Sequence, residues 1–360
     1  MEKTILPVSF FFGVNNKDKY CSLFGEMYNP YEKGLHYVLK GGPGTGKSTL
    51  MKKIADKSEN AGYYTERGYC GADPASLDIV YVPDKNFSIM DATSPHVYEP
   101  KMPGVTEHIV DLSGAWNKEY LQEHIREIGE LKRENEHQHS LVADYMRVSA
   151  RLELEASEIC SKLCDNEKLQ RYAQRLSYRL IPRRRGARKG RIHKRFLSSL
   201  TPDGVVVFYD SLVALAERIV TVEDEFSFAS PFIMEYICAL AIENGYDVYK
   251  CFCPLLPYVK TEHIIIPQLK IALFTENSYH RIFDNGERIV HASRFIDKTA
   301  FKRNQEKLKF LKKAKAEMAE EAVRRLSVAR QVHDQLEEYY IKATDFDVIN
   351  EIGDRIISSL

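Results

Sequence analysis

Gly41-Gly42-Pro43-Gly44-Thr45-Gly46-Lys47-Ser48-Thr49 decides how this chain is read, because it fits the phosphate-binding pattern G-x-x-x-x-G-K-[ST] at every position. The flanks supply the setting that the pattern requires. Leu35 to Lys40 (LHYVLK) reads as a short buried strand, and Thr49 to Lys57 carries Leu50, Met51 and Ile54 at helical spacing. Glycines let a backbone approach phosphate oxygens and adopt positive φ where a Cβ would clash. The helix that follows would aim its first N–H groups and its positive dipole end at the same oxygens. Lys47 is expected to reach the β- and γ-phosphates of a nucleoside triphosphate, and the Ser48 hydroxyl to ligate Mg²⁺.

The chain has 360 residues, enough for two or three domains, and a formal net charge of zero. No global bias toward nucleic acid or an acidic membrane follows from that balance. Its seven cysteines have no zinc-finger spacing. The apolar run Ile5 to Val14 is short, contains Pro7 and lacks a cleavage site, and nothing else approaches membrane-spanning length. A reduced, cytoplasmic chain without a membrane partner is expected.

Working outward from the loop, Gly62 to Tyr69, Ile79 to Val82 and Phe87 to Met90 read as strands separated by polar turns, an α/β pattern. From Trp116 the period changes. Leu121, Ile125, Ile128 and Leu131 start a helical stripe that continues to Leu163, and a shorter helix carries Leu169, Tyr172, Leu176 and Leu180. Together these predict a helical hairpin.

A repeat then emerges. Gly62, Cys70 and Pro74 recur as Gly245, Cys253 and Pro257, 183 positions on, and Pro83 and His96 recur as Pro267 and His280, 184 on. Leu131, Val148, Leu169, Arg175 and Leu180 recur 180 positions on as Leu311, Val328, Ile349, Arg355 and Leu360. The expected organisation is an α/β unit over 1–115, a helical hairpin over 116–180, a basic linker over 181–195, a second α/β unit over 196–297 and a second hairpin over 298–360.

Duplication supplies an internal control. Gly41, Gly46, Lys47 and Ser48 fall opposite Asp224, Ala229, Ser230 and Pro231, so the second loop lacks the donors for a triphosphate, and Asp224 and Glu225 would repel one. Features confined to the first copy become candidates for chemistry. Asp73 (opposite Leu256), Asp78 (opposite Thr261 or Glu262) and Asp91 (opposite Thr275) qualify, whereas His96, matched by His280, reads as structural. Asp91 closes an apolar strand, where the second acidic residue of a nucleotide site is expected beside Mg²⁺; Asp111 after His108-Ile109-Val110 competes for that role. Asp73 and Asp78 are candidates for positioning an attacking water or an acceptor.

The run Arg183 to Arg195 is the one strongly charged stretch. It reads as a solvated linker, a nucleic-acid patch or a source of a charge-stabilising arginine. Arg281 is a second candidate for that arginine. No guanine-reading N-K-x-D is completed at Asn16-Lys17-Asp18 or Asn117-Lys118-Glu119, which leaves adenine.

The loop, the segment Cys70 to Asp78, the pair Pro95-His96 and the duplication together resemble a family of duplicated P-loop ATPases from Firmicutes. That resemblance implies an ATPase or nucleotide kinase, and the second copy here departs from it by losing its loop. The sequence as a whole predicts an ATP- and Mg²⁺-dependent hydrolase with one working site, whose turnover moves helical hairpins against a protein partner. A kinase acting on a small molecule or nucleotide, and a nucleotide-gated binding module, are the alternatives.

Overall fold

The computed structural model describes residues 7–184, 186, 188–282 and 288–360. Arg185 and Ala187 of the basic run, and 283–287 of the second unit, lie outside the described residues.

The first unit begins with β1 (Val8–Phe11) and an antiparallel pair, β2 (Gly13–Asn16) and β3 (Lys19–Ser22). Then come β4 (Leu35–Lys40), α1 (Lys47–Asn60), β5 (Glu66–Tyr69), β6 (Leu77–Val82), β7 (Phe87–Asp91) and β8 (Glu107–Asp111). Six of these strands form one sheet in the order β1-β5-β6-β7-β4-β8. It is mixed: β6 runs antiparallel to both its neighbours, and the other pairings are parallel. Short connections impose this, since too few residues separate β5, β6 and β7 for the crossover that parallel neighbours need. The tight turn after β6 is completed by Asn86 at φ +43°, a left-handed conformation that asparagine tolerates.

After α2 (Lys118–Glu123) comes the long α3 (Ile125–Lys162) and then α4 (Asn166–Leu180), capped by the Asp165 carboxylate accepting from the Lys168 N–H. The second unit repeats the scheme. Its elements are β9 (Ile192–Arg195), the pair β10 (Ser198–Thr201) and β11 (Gly204–Val207), α5 (Tyr209–Leu215), β12 (Arg218–Glu223), α6 (Ser230–Glu243), β13 (Val248–Phe252), β14 (Thr261–Ile266), β15 (Ile271–Glu276) and β16 (Arg288–His291). The sheet order β9-β13-β14-β15-β12-β16 and the strand directions match the first sheet throughout. The chain closes with α7 (Lys298–Ala343) and α8 (Phe346–Ser358).

The expected hairpins are arranged differently from the sequence reading. Rather than folding back within a repeat, α3 lies antiparallel along α7: Asn135 donates to the Ala329 carbonyl at one end, and Cys160 packs with Leu308 at the other. The short helices are exchanged. Leu169, Tyr172, Leu176 and Leu180 of α4 enter the core of the second unit with Val220, Ile233 and Ile237, while Ile356 of α8 enters the core of the first with Leu50, Met51 and Ile54. Amphipathic spacing on α4 and α8 foretold that each would bury one face, but spacing does not say against which sheet.

A pseudo-two-fold relates the halves. Phe11 and Phe196 occupy equivalent positions and exchange both backbone hydrogen bonds, at 2.9 and 3.1 Å, so the axis passes between them. Asn117 N–H donates to Ala343, and its counterpart Asp297 N–H donates to Leu163; Asp165 N–H donates to Phe295, and Asp345 N–H to Ala115. The basic run is also more structured than a solvated linker. Arg195 ends β9, is fully buried and pairs with Glu66 at 2.7 Å. Lys194 pairs with Glu26, Lys189 with Glu243, and Arg184 stacks over Tyr246. Among the described residues, no helix is long and apolar enough to cross a membrane.

Candidate functional site

The glycine loop joins the C-terminal end of β4, an interior strand of the first sheet, to α1. Gly44 (φ +68°) and Gly46 (φ +78°) both adopt the left-handed conformation that the pattern anticipates. Lys47 is buried and folds back over the loop, donating to the Gly41 carbonyl at 2.9 Å and to the Gly42 carbonyl. Its ammonium is 3.5 Å from Asp91 Oδ2. The Ser48 hydroxyl accepts from the Leu77 N–H at 3.0 Å, which ties the start of α1 to β6. Thr45 Oγ1 donates to the Gly42 carbonyl and Thr93 Oγ1 to the Gly41 carbonyl, bracing the loop on both sides.

The two aspartates that competed for the strand-end role are separated by their surroundings. Asp91 sits inside, with Oδ1 accepting from the Thr93 N–H and Oδ2 facing Lys47. Asp111 is exposed, and both its oxygens are taken by Ser113, whose backbone and hydroxyl bonds hold its pKa below the usual carboxylate range. Asp73 accepts from the Ser76 hydroxyl at 2.6 Å and pairs with Arg330 of α7 at 3.2 Å. Asp78 is buried, and burial is the main reason that its pKa is pushed up to about 6, despite nearby His96. The sheet register also settles its counterpart: Leu77 and Thr261 hold the same place, so Asp78 falls opposite Glu262 and a carboxylate is kept in both copies. Arg281 lies at the mouth of the second unit's own loop, alongside Asp224 and Glu225. The arginine that pairs with Asp73, a candidate of the first unit, is Arg330 of α7 instead.

The sequence reading missed the roof of the site, which comes from the far end of the chain. Glu337 Oε1 of α7 accepts the Gly44 N–H at 3.1 Å. A Cβ on Gly42 would lie 2.6 Å from the Tyr340 ring, and one on Gly44 would lie 2.9 Å from Ile341, so both glycines are needed for this close approach. His333 is 3.3 Å from Glu337 and lowers its pKa. His139 of α3 stands near both His333 and His96 and is itself held below its usual pKa by burial. One signal was present in the sequence. The 180-residue displacement sets Arg330, His333 and Glu337 opposite Ala150, Glu153 and Ser157, so the internal control, applied to the helices, singles them out.

In the second unit the same loop geometry survives with other contents. Ser227, in the place of Gly44, keeps a positive φ of 52°. Asp224 turns its carboxylate into the loop and accepts from the Ala229 and Ser230 N–H groups at 2.8 Å each. The start of α6 therefore carries a covalently attached anion where the start of α1 has open N–H groups.

No family model, curated protein or solved structure matches this chain.

Proposed function

We propose that the chain binds and hydrolyses ATP, with Mg²⁺, at the glycine loop of its first unit. The observation that carries this reading is the loop itself: a strand, two left-handed glycines, and a helix whose first residue is a buried lysine 3.5 Å from a strand-end carboxylate. Among the described residues Lys47 is partnered by two loop carbonyls, the Thr45 hydroxyl and Asp91, and a triphosphate would offer it better ones. The N–H groups at the start of α1 lack side-chain caps and suit phosphate oxygens. Ser48 and Asp91 present hard oxygen donors, which fits Mg²⁺, and they are the residues that would hold it. The ion would neutralise charge that builds up on the phosphate oxygens. Arg330, brought in by α7, adds a cation at Asp73 on the same side of the site.

The Glu337–Gly44 contact supports the coupling of nucleotide to helix movement, because phosphate and the Glu337 carboxylate compete for one N–H. It equally suits a nucleotide-gated module that binds without turnover. Phosphate release decides between them. The full chain with ATP and Mg²⁺ should release phosphate, and Lys47→Ala should release none while keeping its circular dichroism. Equal release by both proteins refutes the site; tight ATP binding with no release supports the gated module.

A further inference from the structure

Beside the glycine loop, Cys70, Asp78 and His96 bring a thiol, a carboxylate oxygen and a ring nitrogen within 4.8 Å of one another. All three residues are more than nine-tenths buried, and Asp78 Oδ2 has no hydrogen-bond partner among the described residues. An unsatisfied buried carboxylate oxygen costs on the order of 1–3 kcal/mol, so its position calls for a cation or a donor. The cluster is tied to the loop through β6, since Leu77, next to Asp78, donates its N–H to Ser48.

The second copy shows what that place requires. Its corresponding trio is Cys253, Glu262 and His280, and there the ammonium of Lys260 is seated 3.0 Å from Glu262. Lys260 is itself buried and also pairs with Glu153 at 3.0 Å. Position 260 corresponds to Ser76 in the first copy, which carries no charge. The trio is thus completed by a lysine paired directly with its carboxylate in the second copy, whereas among the described residues no lysine or arginine pairs directly with Asp78 in the first.

Orientation of the histidines points the same way. The Tyr20 hydroxyl is hydrogen-bonded to His96 Nδ1, leaving Nε2 to face Asp78 at 3.6 Å. A metal-ligating histidine characteristically has its second nitrogen held by such a partner. A hydroxyl on one ring nitrogen and a carboxylate facing the other recur in the second copy, with the two nitrogens exchanged. In the second copy the Ser198 hydroxyl bonds His280 at 2.9 Å, and Ser198 stands opposite Gly13, where a Cβ would lie 1.6 Å from the Tyr20 oxygen. Two different residues deliver a hydroxyl to the same histidine.

We infer that Cys70, Asp78 and His96 form a binding site for a divalent transition metal of the zinc class. A thiolate and an imidazole select such an ion over Mg²⁺, which prefers oxygen. A thiolate and a carboxylate together balance two positive charges, and binding displaces the thiol proton. Three protein ligands leave one coordination position open.

The test is a Co²⁺ titration of the full chain after chelator treatment, under reducing conditions. A thiolate-to-cobalt charge-transfer band should rise and saturate at one ion per chain. Zn²⁺ should abolish it, and a large excess of Mg²⁺ should not. Cys70→Ser should remove the band and Cys253→Ser should leave it intact; His96→Gln serves as a second variant if Cys70→Ser is poorly folded. Absence of the band in the wild-type chain overturns the inference without reference to any variant. A band that survives Cys70→Ser, or that Mg²⁺ displaces, overturns it as well.

Discussion

Glu337→Ala is the perturbation that most directly tests how the two halves of the chain communicate. In the resting protein one carboxylate oxygen of Glu337 accepts the Gly44 N–H at 3.1 Å, and this N–H belongs to the loop that should receive phosphate. ATP binding must then break that bond before making its own. A hydrogen bond to a charged acceptor contributes about 1.5–3 kcal/mol when shielded. The Glu337 side chain is 36% exposed, so the lower end applies, roughly 1–2 kcal/mol after solvent screening. Removing the competitor should therefore tighten ATP binding by about 5- to 30-fold. Tyr340 and Ile341 stay in place and preserve the packing of α7 on the loop. Calorimetric titration of Mg-ATP into wild type and variant reads the difference, with Lys47→Ala as the non-binding control. Affinity unchanged within twofold would mean that Glu337 does not compete. Weaker binding would mean that it belongs to the nucleotide site, and either result refutes the reasoning.

A fragment ending at residue 180 should fail to fold on its own, because Leu50, Met51 and Ile54 would lose Ile356 and α4 would lose its place on the second sheet; a cooperative thermal transition in that fragment would contradict the exchange. Lys260→Ala leaves Glu153 and Glu262 buried without that ammonium and should cost about 3–5 kcal/mol by urea denaturation at neutral pH. The sign of its pH dependence follows. Burial alone would raise the Glu262 pKa, but Lys260 and His280 hold it down to about 2, so its stabilisation is present above about pH 4.5 and is lost as the pH falls toward 2. In Lys260→Ala that acid-sensitive loss should shrink, so the gap between variant and wild type narrows below pH 4.5. The chain should also bind one ATP, since Asp224 already satisfies the Ala229 and Ser230 N–H groups; two equivalent calorimetric sites would contradict this.

The two sheets and the loop could be read from the sequence because their signals are local. Apolar runs such as LHYVLK, the glycine spacing and the Cys70 and Cys253 repeat need no knowledge of the rest of the chain. The direction of β6 was less legible, as it depends on how short the turns at 70–76 and 83–86 are. The partners of α4 and α8 were not legible at all. A stripe of Leu169, Tyr172 and Leu176 suits either sheet equally, and only the antiparallel seating of α3 on α7 decides which sheet each short helix reaches. Glu337, Arg330 and His333 were hidden for the same reason. They lie almost 300 residues from the loop, and their placement follows from the pseudo-two-fold rather than from any motif.

The two copies differ in what fills their ion-binding places. The second has its own carboxylate, Asp224, against the N–H groups of its loop, and its own ammonium, Lys260, against its Cys, Glu and His trio. Each is a side-chain substitute for a diffusible ion: an anion in one place, a cation in the other. Both places in that copy are filled by its own side chains, which suits it to act as a frame. Lys312 of α7 pairs with Glu225 of that frame at 3.2 Å, and Glu337 of the same helix reaches Gly44 of the first loop. Twenty-five residues of helix separate these contacts, about 38 Å at 1.5 Å per residue. One end of α7 is thus paired to the second unit's loop, and the other rests on the loop where phosphate would enter. Displacing Glu337 would then tilt α7 against α3 rather than shift the whole helix, and the movement would be greatest at the glycine loop.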